Sequence, residues 1–320
     1  MSVDRILLIS LDNLGDMVFA SALAPPLCER FPKATLDIWC KEYTADVARL
    51  VPGADDVIAS DPFWDRAPGR AKGSKAAFVR AIRTVRRRRY DVALLAAAPW
   101  RTAAAVAATR IPVRIGLRRR KNGVFLTDVL PDENPRVPVL SELARLLQPL
   151  GITAATLRYR LEPASLTTRR TRLLTRIPPP YVALHPFASK QNRCVELSVW
   201  IELARRLSAR GPSILWIGSS SELDSLRREP SDSAWRFIDR DSDGSLADTA
   251  AALSGAQQFV GHDSGPLHIA GAFGVPVVGI FAPGEPLRTF PQGIGPARML
   301  ARPSPIGITA EDILREIDAL

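Results

Sequence analysis

The 320-residue chain is poor in the residues that build metal and redox centres, with three cysteines and three histidines. Cys28, Cys40 and Cys194 have no Cys-x-x-Cys spacing, which speaks against a zinc ribbon or a thioredoxin-like pair. Unpaired cysteines point to a reducing compartment. The stretch Met1–Leu11 lacks the charged n-region and long apolar h-region of an export signal, so a cytoplasmic location is expected. With His185, His262 and His268 the only histidines, no metal site is expected. No apolar run approaches the roughly 20 residues of a transmembrane helix. Short-period repeats and low-complexity tracts are absent. The first strand-to-helix turn has no Gly-x-Gly-x-x-Gly fingerprint, so nothing there announces a dinucleotide site.

What is abundant is arginine. Basic residues outnumber acidic ones by 43 to 33, and only six of the 43 are Lys. The excess is polarised: residues 1–160 carry 26 basic and 16 acidic side chains, whereas residues 161–320 carry 17 of each. Between Arg66 and Thr127 there are 17 Lys/Arg against one acid, Asp91. Such a field attracts anions, whether nucleic acid, a membrane surface or a phosphorylated substrate, or it simply coats solvated faces. A single-strand nucleic-acid platform would interleave aromatics with the cations. This stretch has only Phe78, Tyr90, Trp100 and Phe125, unevenly spread, so no nucleic-acid partner is expected.

A length near twice the usual ~150 residues per domain suggests two domains. The pattern is strand, loop, helix, repeated. Ile6–Ile9 is a continuous apolar run, as in a strand covered on both faces, and a helix is expected from about Met17 to Phe31. Strands follow at Thr35–Trp39, Val92–Leu95 and Val113–Leu117, with a cationic amphipathic helix at Ala76–Arg89. The motif restarts at Tyr181–His185, with strands at Ser213–Gly218, Arg236–Asp239, Gln258–Gly261 and Val275–Phe281 and helices between them. The reading is α/β, with residues 1–162 and 181–320 as two βα domains joined by a linker over 163–180 that ends in Pro178-Pro179-Pro180. Ligands are then expected in a cleft, at the carboxyl ends of the strands.

Three loops can carry chemistry. The first holds Asp12, Asn13, Gly15 and Asp16, read either as a site or as helix N-capping. The second, His185 to Arg193, offers Ser189, Lys190 and Arg193 as a diphosphate cradle, or is a solvated loop. The third, Gly261 to His268, places Ser264, Gly265 and Pro266 at a helix start, with Asp263 and His268 beside them. It is not a hydrolase elbow, for it lacks Gly-x-Ser-x-Gly. Asp239 to Gly244 imitates half an EF-hand loop, but position twelve is Ala250, and the loop is read as leading into a helix at Leu246.

Together these loops resemble glycosyltransferase family 9, the lipopolysaccharide heptosyltransferases of the GT-B fold. The resemblance rests on Leu14-Gly15-Asp16, on Phe31-Pro32-Lys33-Ala34, on Tyr90-Asp91-Val92, on Arg114-Ile115-Gly116 and on His185-Pro186-Phe187-Ala188-Ser189. Its most specific part is Asp263 to His268 with Ala270, Gly274, Pro276-Val277-Val278 and Phe281. It implies an inverting, metal-independent transfer of a sugar from a nucleotide diphosphate, with ADP-heptose as first donor and no cofactor. Asp16 matches the base. Ser189, Arg193, Ser264 and Gly265 match the diphosphate site, to which the loop's own chemistry adds Lys190. Glu222, Gly244 and Ser245 match the ribose and base side, and Asp263 and His268 the donor loop. Asp12, Asn13, Arg66, Arg70, Arg118 and Arg119 fall on the acceptor side. The implied acceptor is an anionic saccharide or glycolipid, in the family the phosphorylated, Kdo-bearing inner core at the membrane, so peripheral contact with an anionic bilayer is expected. The chain departs from the family where Phe187 replaces a glycine and Arg193-Cys194-Val195-Glu196 replaces Lys-x-Trp-Pro. A natural-product acceptor, or a non-catalytic nucleotide-sugar binder, are the other readings.

Overall fold

A computed structural model describes residues 3–65, 72–131, 136–153, 156–188, 190–229, 234–239 and 246–320. The chain divides into two compact units, Met1–Tyr159 and Arg160–Leu320. Arg66, Arg70, Ser189, Gly244 and Ser245 lie outside the described residues.

In the first unit the strands are β1 (Arg5–Ser10), β2 (Thr35–Cys40), β3 (Asp56–Ala59), β4 (Val92–Leu95), β5 (Val113–Leu117) and β6 (Asp128–Leu130). All neighbours pair in parallel, in the order β3-β2-β1-β4-β5-β6. Its helices are α1 (Leu14–Ser21), α2 (Ala24–Arg30), α3 (Ala45–Ala48), α4 (Lys75–Arg88), α5 (Trp100–Ala108) and α6 (Val139–Arg145). The apolar run of β1 has its reason here: Ile6, Leu7, Leu8 and Ile9 are buried, because helices cover both faces of a parallel sheet. The single helix expected over Met17–Phe31 is two, α1 and α2. Pro25 and Pro26 occupy the first turn of α2, where their missing N–H groups cost nothing, but they cannot continue α1.

The second unit repeats the plan. Its strands are β7 (Tyr181–His185), β8 (Ser213–Gly218), β9 (Trp235–Asp239), β10 (Gln258–His262), β11 (Val277–Phe281) and β12 (Ala297–Ala301), ordered β12-β11-β10-β7-β8-β9 and all parallel. Its helices are α7 (Thr167–Leu174), α8 (Leu197–Ser208), α9 (Ser220–Arg227), α10 (Leu246–Leu253), α11 (Gly265–Ala272), α12 (Pro286–Thr289) and α13 (Ala310–Asp318). Trp200 and Trp216 are buried in its core. The segment expected to link the domains belongs to this unit: Arg169 of α7 bonds the buried Asp248 of α10 at 2.8 Å.

Each unit thus has the doubly wound order of a Rossmann fold, which reverses direction at its two central strands. The reversal falls between β1 and β4 in the first unit and between β7 and β10 in the second. Loops leaving those strands at their carboxyl ends are the ones placed to meet a ligand.

Candidate functional site

At the carboxyl edge of the first sheet, the loop after β1 carries Asp12 and Asn13, and α1 begins at Leu14. Asp16 is the third residue of that helix, and its Oδ2 accepts the N–H of Asn13 at 3.2 Å. The capping reading is therefore realised, and it fixes the Asp16 carboxylate. Asp12 is partly buried, and its Oδ1 accepts the same Asn13 N–H at 2.9 Å. Burial pushes the Asp12 carboxyl above its ordinary range, against the nearby Lys41 charge and the Asn13 bond, which pull it down. Lys41, at the end of β2, is itself buried and ion-paired with Asp65. Sequence reading passed over Lys41. The available signal is its position directly after an apolar strand, where a lysine has no solvated face.

The loop after β5 carries Arg118 and Arg119 at this same edge. Buried Asn122 pins it, donating to the Ala98 and Leu117 carbonyls at 2.8 Å each. Arg118 is exposed, and Arg119 lies 4.0 Å from the buried Glu142. The basic stretch 66–127 is not one strip, however. The carboxyl end of α4 leads into β4, and Arg110 precedes β5, so Arg86, Arg87, Arg89 and Arg110 lie at the amino edge, opposite Asp12 and Asp16. Arg88 is tied down by Asp37 at 2.7 Å and Asp56 at 2.5 Å.

In the second unit the loops after β7 and β10 lie side by side, with His185 level with Gly261. Ser264 sits at the start of α11. Its hydroxyl donates to the His262 carbonyl at 3.0 Å and lies 3.3 Å from His185 Nδ1. With its one proton so used, Ser264 Oγ can only accept from His185, which requires the proton on Nδ1. Asp263 is held from two sides, by the Thr289 hydroxyl at 3.1 Å and by His268 Nε2 at 3.5 Å. Thr289, on α12, was not legible in any motif.

His262 is buried, and its Nε2 accepts the Val195 N–H at 3.2 Å. Burial pulls its pKa down to about 4, so the ring is neutral at pH 7 and can accept that bond. The bond ties the loop carrying Lys190 and Arg193 to the end of β10. Arg193 closes a 3₁₀ turn over Gln191–Arg193. Neither Lys190 nor Arg193 has a carboxylate partner among the described residues. Phe187, where the family turn has glycine, lies over Gly218, on which a Cβ would come within 2.9 Å of the ring. Glu222 caps α9, its Oε2 accepting the Ser219 N–H at 2.8 Å. Asp239 is buried and 3.5 Å from Arg227. Residues 240–243 of that acidic loop lie outside the described residues.

The arrangement offers two cations, a positioned hydroxyl and a glycine-led helix start at one switch point, the chemistry of an anion site. Among the described residues no cluster of three or more His, Cys, Asp or Glu is disposed to hold a metal ion. None of the described helices is long and apolar enough to cross a membrane.

The model of glycosyltransferase family 9 (heptosyltransferase) matches residues 78–298. Lipopolysaccharide heptosyltransferase 3 of Escherichia coli is 24% identical over 292 residues, covering 83% of this chain and 80% of that protein. A family 9 glycosyl transferase from Veillonella parvula superposes with a TM-score of 0.83 at 15% identity, covering 100% of this chain and 98% of the other. The ADP-heptose lipopolysaccharide heptosyltransferase II of Escherichia coli gives a TM-score of 0.80 at 20% identity, covering 98% of each chain. These whole-chain likenesses give the fold as GT-B.

Proposed function

The chain belongs to glycosyltransferase family 9, and from that premise we propose that it moves heptose from ADP-heptose to a hydroxyl of an anionic saccharide or glycolipid, inverting the anomeric centre and using no metal. The observation that carries the reading is the meeting of the Ser264–Gly265 helix start with the turn bearing Lys190 and Arg193, held together through His262. In the reaction the acceptor oxygen attacks the anomeric carbon as its proton passes to a base. The bond from that carbon to the diphosphate oxygen breaks, and ADP leaves. Asp16 is the base. A carboxylate offers about four lone-pair sites, so the bond from Asn13 orients Asp16 without using it up. Charge grows on the departing diphosphate, and donors fixed before the reaction stabilise it most. Arg193 and Lys190 supply cations there, Ser264 a hydroxyl and α11 its N-terminal N–H groups, in place of a metal. Glu222 and the loop at Gly244 and Ser245 contact the nucleoside.

The choice of donor is supported by the likeness to an enzyme named for ADP-heptose. An anionic glycolipid acceptor, and with it work at the inner face of the cytoplasmic membrane, is supported by the basic excess in residues 1–160. Incubation with ADP-heptose and a phosphorylated, Kdo-bearing acceptor should release ADP and yield the acceptor heavier by one heptose, with the anomeric configuration inverted. Transfer from another nucleotide sugar but not from ADP-heptose would overturn the donor assignment, and a retained configuration the mechanism.

A further inference from the structure

The amino edge of the first sheet holds a cavity of about 320 Å³, formed where α4 runs into β4 and the turn after α5 runs into β5. Arg86, Arg89 and Arg110 line it together with Tyr90, Asp91 and Pro112. None of the three guanidinium groups has a carboxylate or hydrogen-bond partner among the described residues. Asp91, the one acid on the wall among the described residues, accepts the N–H groups of Asp4 and Arg5 on its Oδ2, at 2.8 and 2.9 Å. The wall is braced: the Tyr90 hydroxyl bonds Asp37, and Arg114 Nη1 donates to the Ile111 carbonyl at 2.5 Å.

The backbone adds a second, independent observation. Arg89 and Arg110 both sit in the left-handed region, with φ of 52° and 65°. Each follows the end of a helix, a place where glycine adopts that conformation freely and a residue with a Cβ is strained. Cations near a helix C-terminus also complement its dipole. The last turn of α4 already supplies Arg86, Arg87 and Arg88 for that purpose, and it asks for no left-handed arginine. Arginine is thus held at two positions that favour glycine, and both line the same cavity.

We infer that this pocket is a phosphate-binding site, separate from the residues given roles in sugar transfer. Planar guanidiniums pair with phosphate oxygens two bonds at a time, and the volume falls at the lower end of small-ligand sites, about 300–1,000 Å³. A lipid headgroup and a soluble diphosphate present the same chemistry, and the experiment separates them. The full chain is titrated with pyrophosphate in an Arg193→Ala background, which weakens the donor site without adding a competing diphosphate, and floated with phosphatidylcholine vesicles with and without phosphatidylglycerol. The test variant is Arg89→Gly with Arg110→Gly. The control is Arg80→Gln with Arg83→Gln, exposed cations of α4 that do not line the cavity.

Glycine suits both positions, so the test variant should melt at or above the wild-type temperature. Its affinity for pyrophosphate, for anionic vesicles or for both should fall about tenfold or more, while the control changes less than about twofold. Loss confined to vesicles assigns a headgroup, and loss confined to pyrophosphate a soluble anion. Equal losses in the two variants, or no binding of either ligand with both arginines in place, overturn the site. A failure of ADP to bind would count against the donor reading and leave this comparison of variants intact.

Discussion

Asp16 holds the start of α1 and, in the proposed reaction, receives the acceptor proton. The two roles separate experimentally. Asparagine keeps an oxygen for the Asn13 N–H but cannot take a proton, so Asp16→Asn should melt within a degree or so of wild type while kcat falls about 10²–10⁴-fold, the usual worth of a general base. Asp16→Ala should lose the same activity and in addition about 1 kcal/mol of stability, the usual worth of a cap, read from urea unfolding. Full activity in Asp16→Asn would move the base elsewhere, and Asp12, whose carboxyl burial already pushes up, is the neighbour to test next. Arg193 is the matching case on the donor side. Arg193→Ala should raise the KM for the donor about tenfold or more, and Arg193→Lys should restore part of it as a point charge without the bidentate fork. Phe187 shows why a departure from a family motif is hard to weigh in sequence alone: its ring is accommodated by the missing side chain of Gly218, 31 residues further on.

At the scale of elements, the central strands β1, β4, β7, β8 and β10 were legible because both faces are covered and the residues run apolar without a break. The strands that escaped were β3, β6 and β12, and all three are edge strands. They are largely uncovered, with no buried residue in β6 and one each in β3 and β12. Neither an apolar run nor a clean alternation survives there. The same reasoning explains the site. Asp16, Ser264 and Gly265 sit at loop-to-helix starts whose chemistry is local and could be read in order. Thr289 and Lys41 reach their partners only through the fold.

His262 joins two of these elements, and its environment has a consequence for acid stability. Its folded pKa of about 4 lies below the ordinary value near 6.5. Above pH 6.5 both states hold the ring neutral and stability is unaffected. Between 6.5 and 4 the unfolded chain binds a proton that the folded chain refuses, so stability falls with acidification, by about 3 kcal/mol in all. His262→Gln keeps an acceptor for Val195 but does not titrate, and its melting temperature should fall less steeply across that window. Parallel pH profiles for the two proteins would remove His262 as the cause.

For the whole molecule, the net charge of +10 proves less informative than its distribution. The second half is neutral, so the anion site proposed there would work through a few placed cations and a helix start. The first half carries the excess at both edges of its sheet, and only the carboxyl edge holds Asp12 and Asp16. A diffuse field and a built site respond differently to ligand and to salt. If the donor site is the placed kind, ADP-heptose should stabilise the chain by mass action, about 2.7 kcal/mol at a hundredfold excess over Kd. ADP should give much of that effect, while UDP- and GDP-sugars should give less at equal concentration. In the proposed site Arg193, Lys190 and Ser264 hold the diphosphate without a metal, so the shift should survive excess EDTA and should collapse in Arg193→Ala. A shift that needs added magnesium, or one equal for all diphosphates, would show that the cations act as a field or through a metal, and the assignment of Arg193 would fall with it.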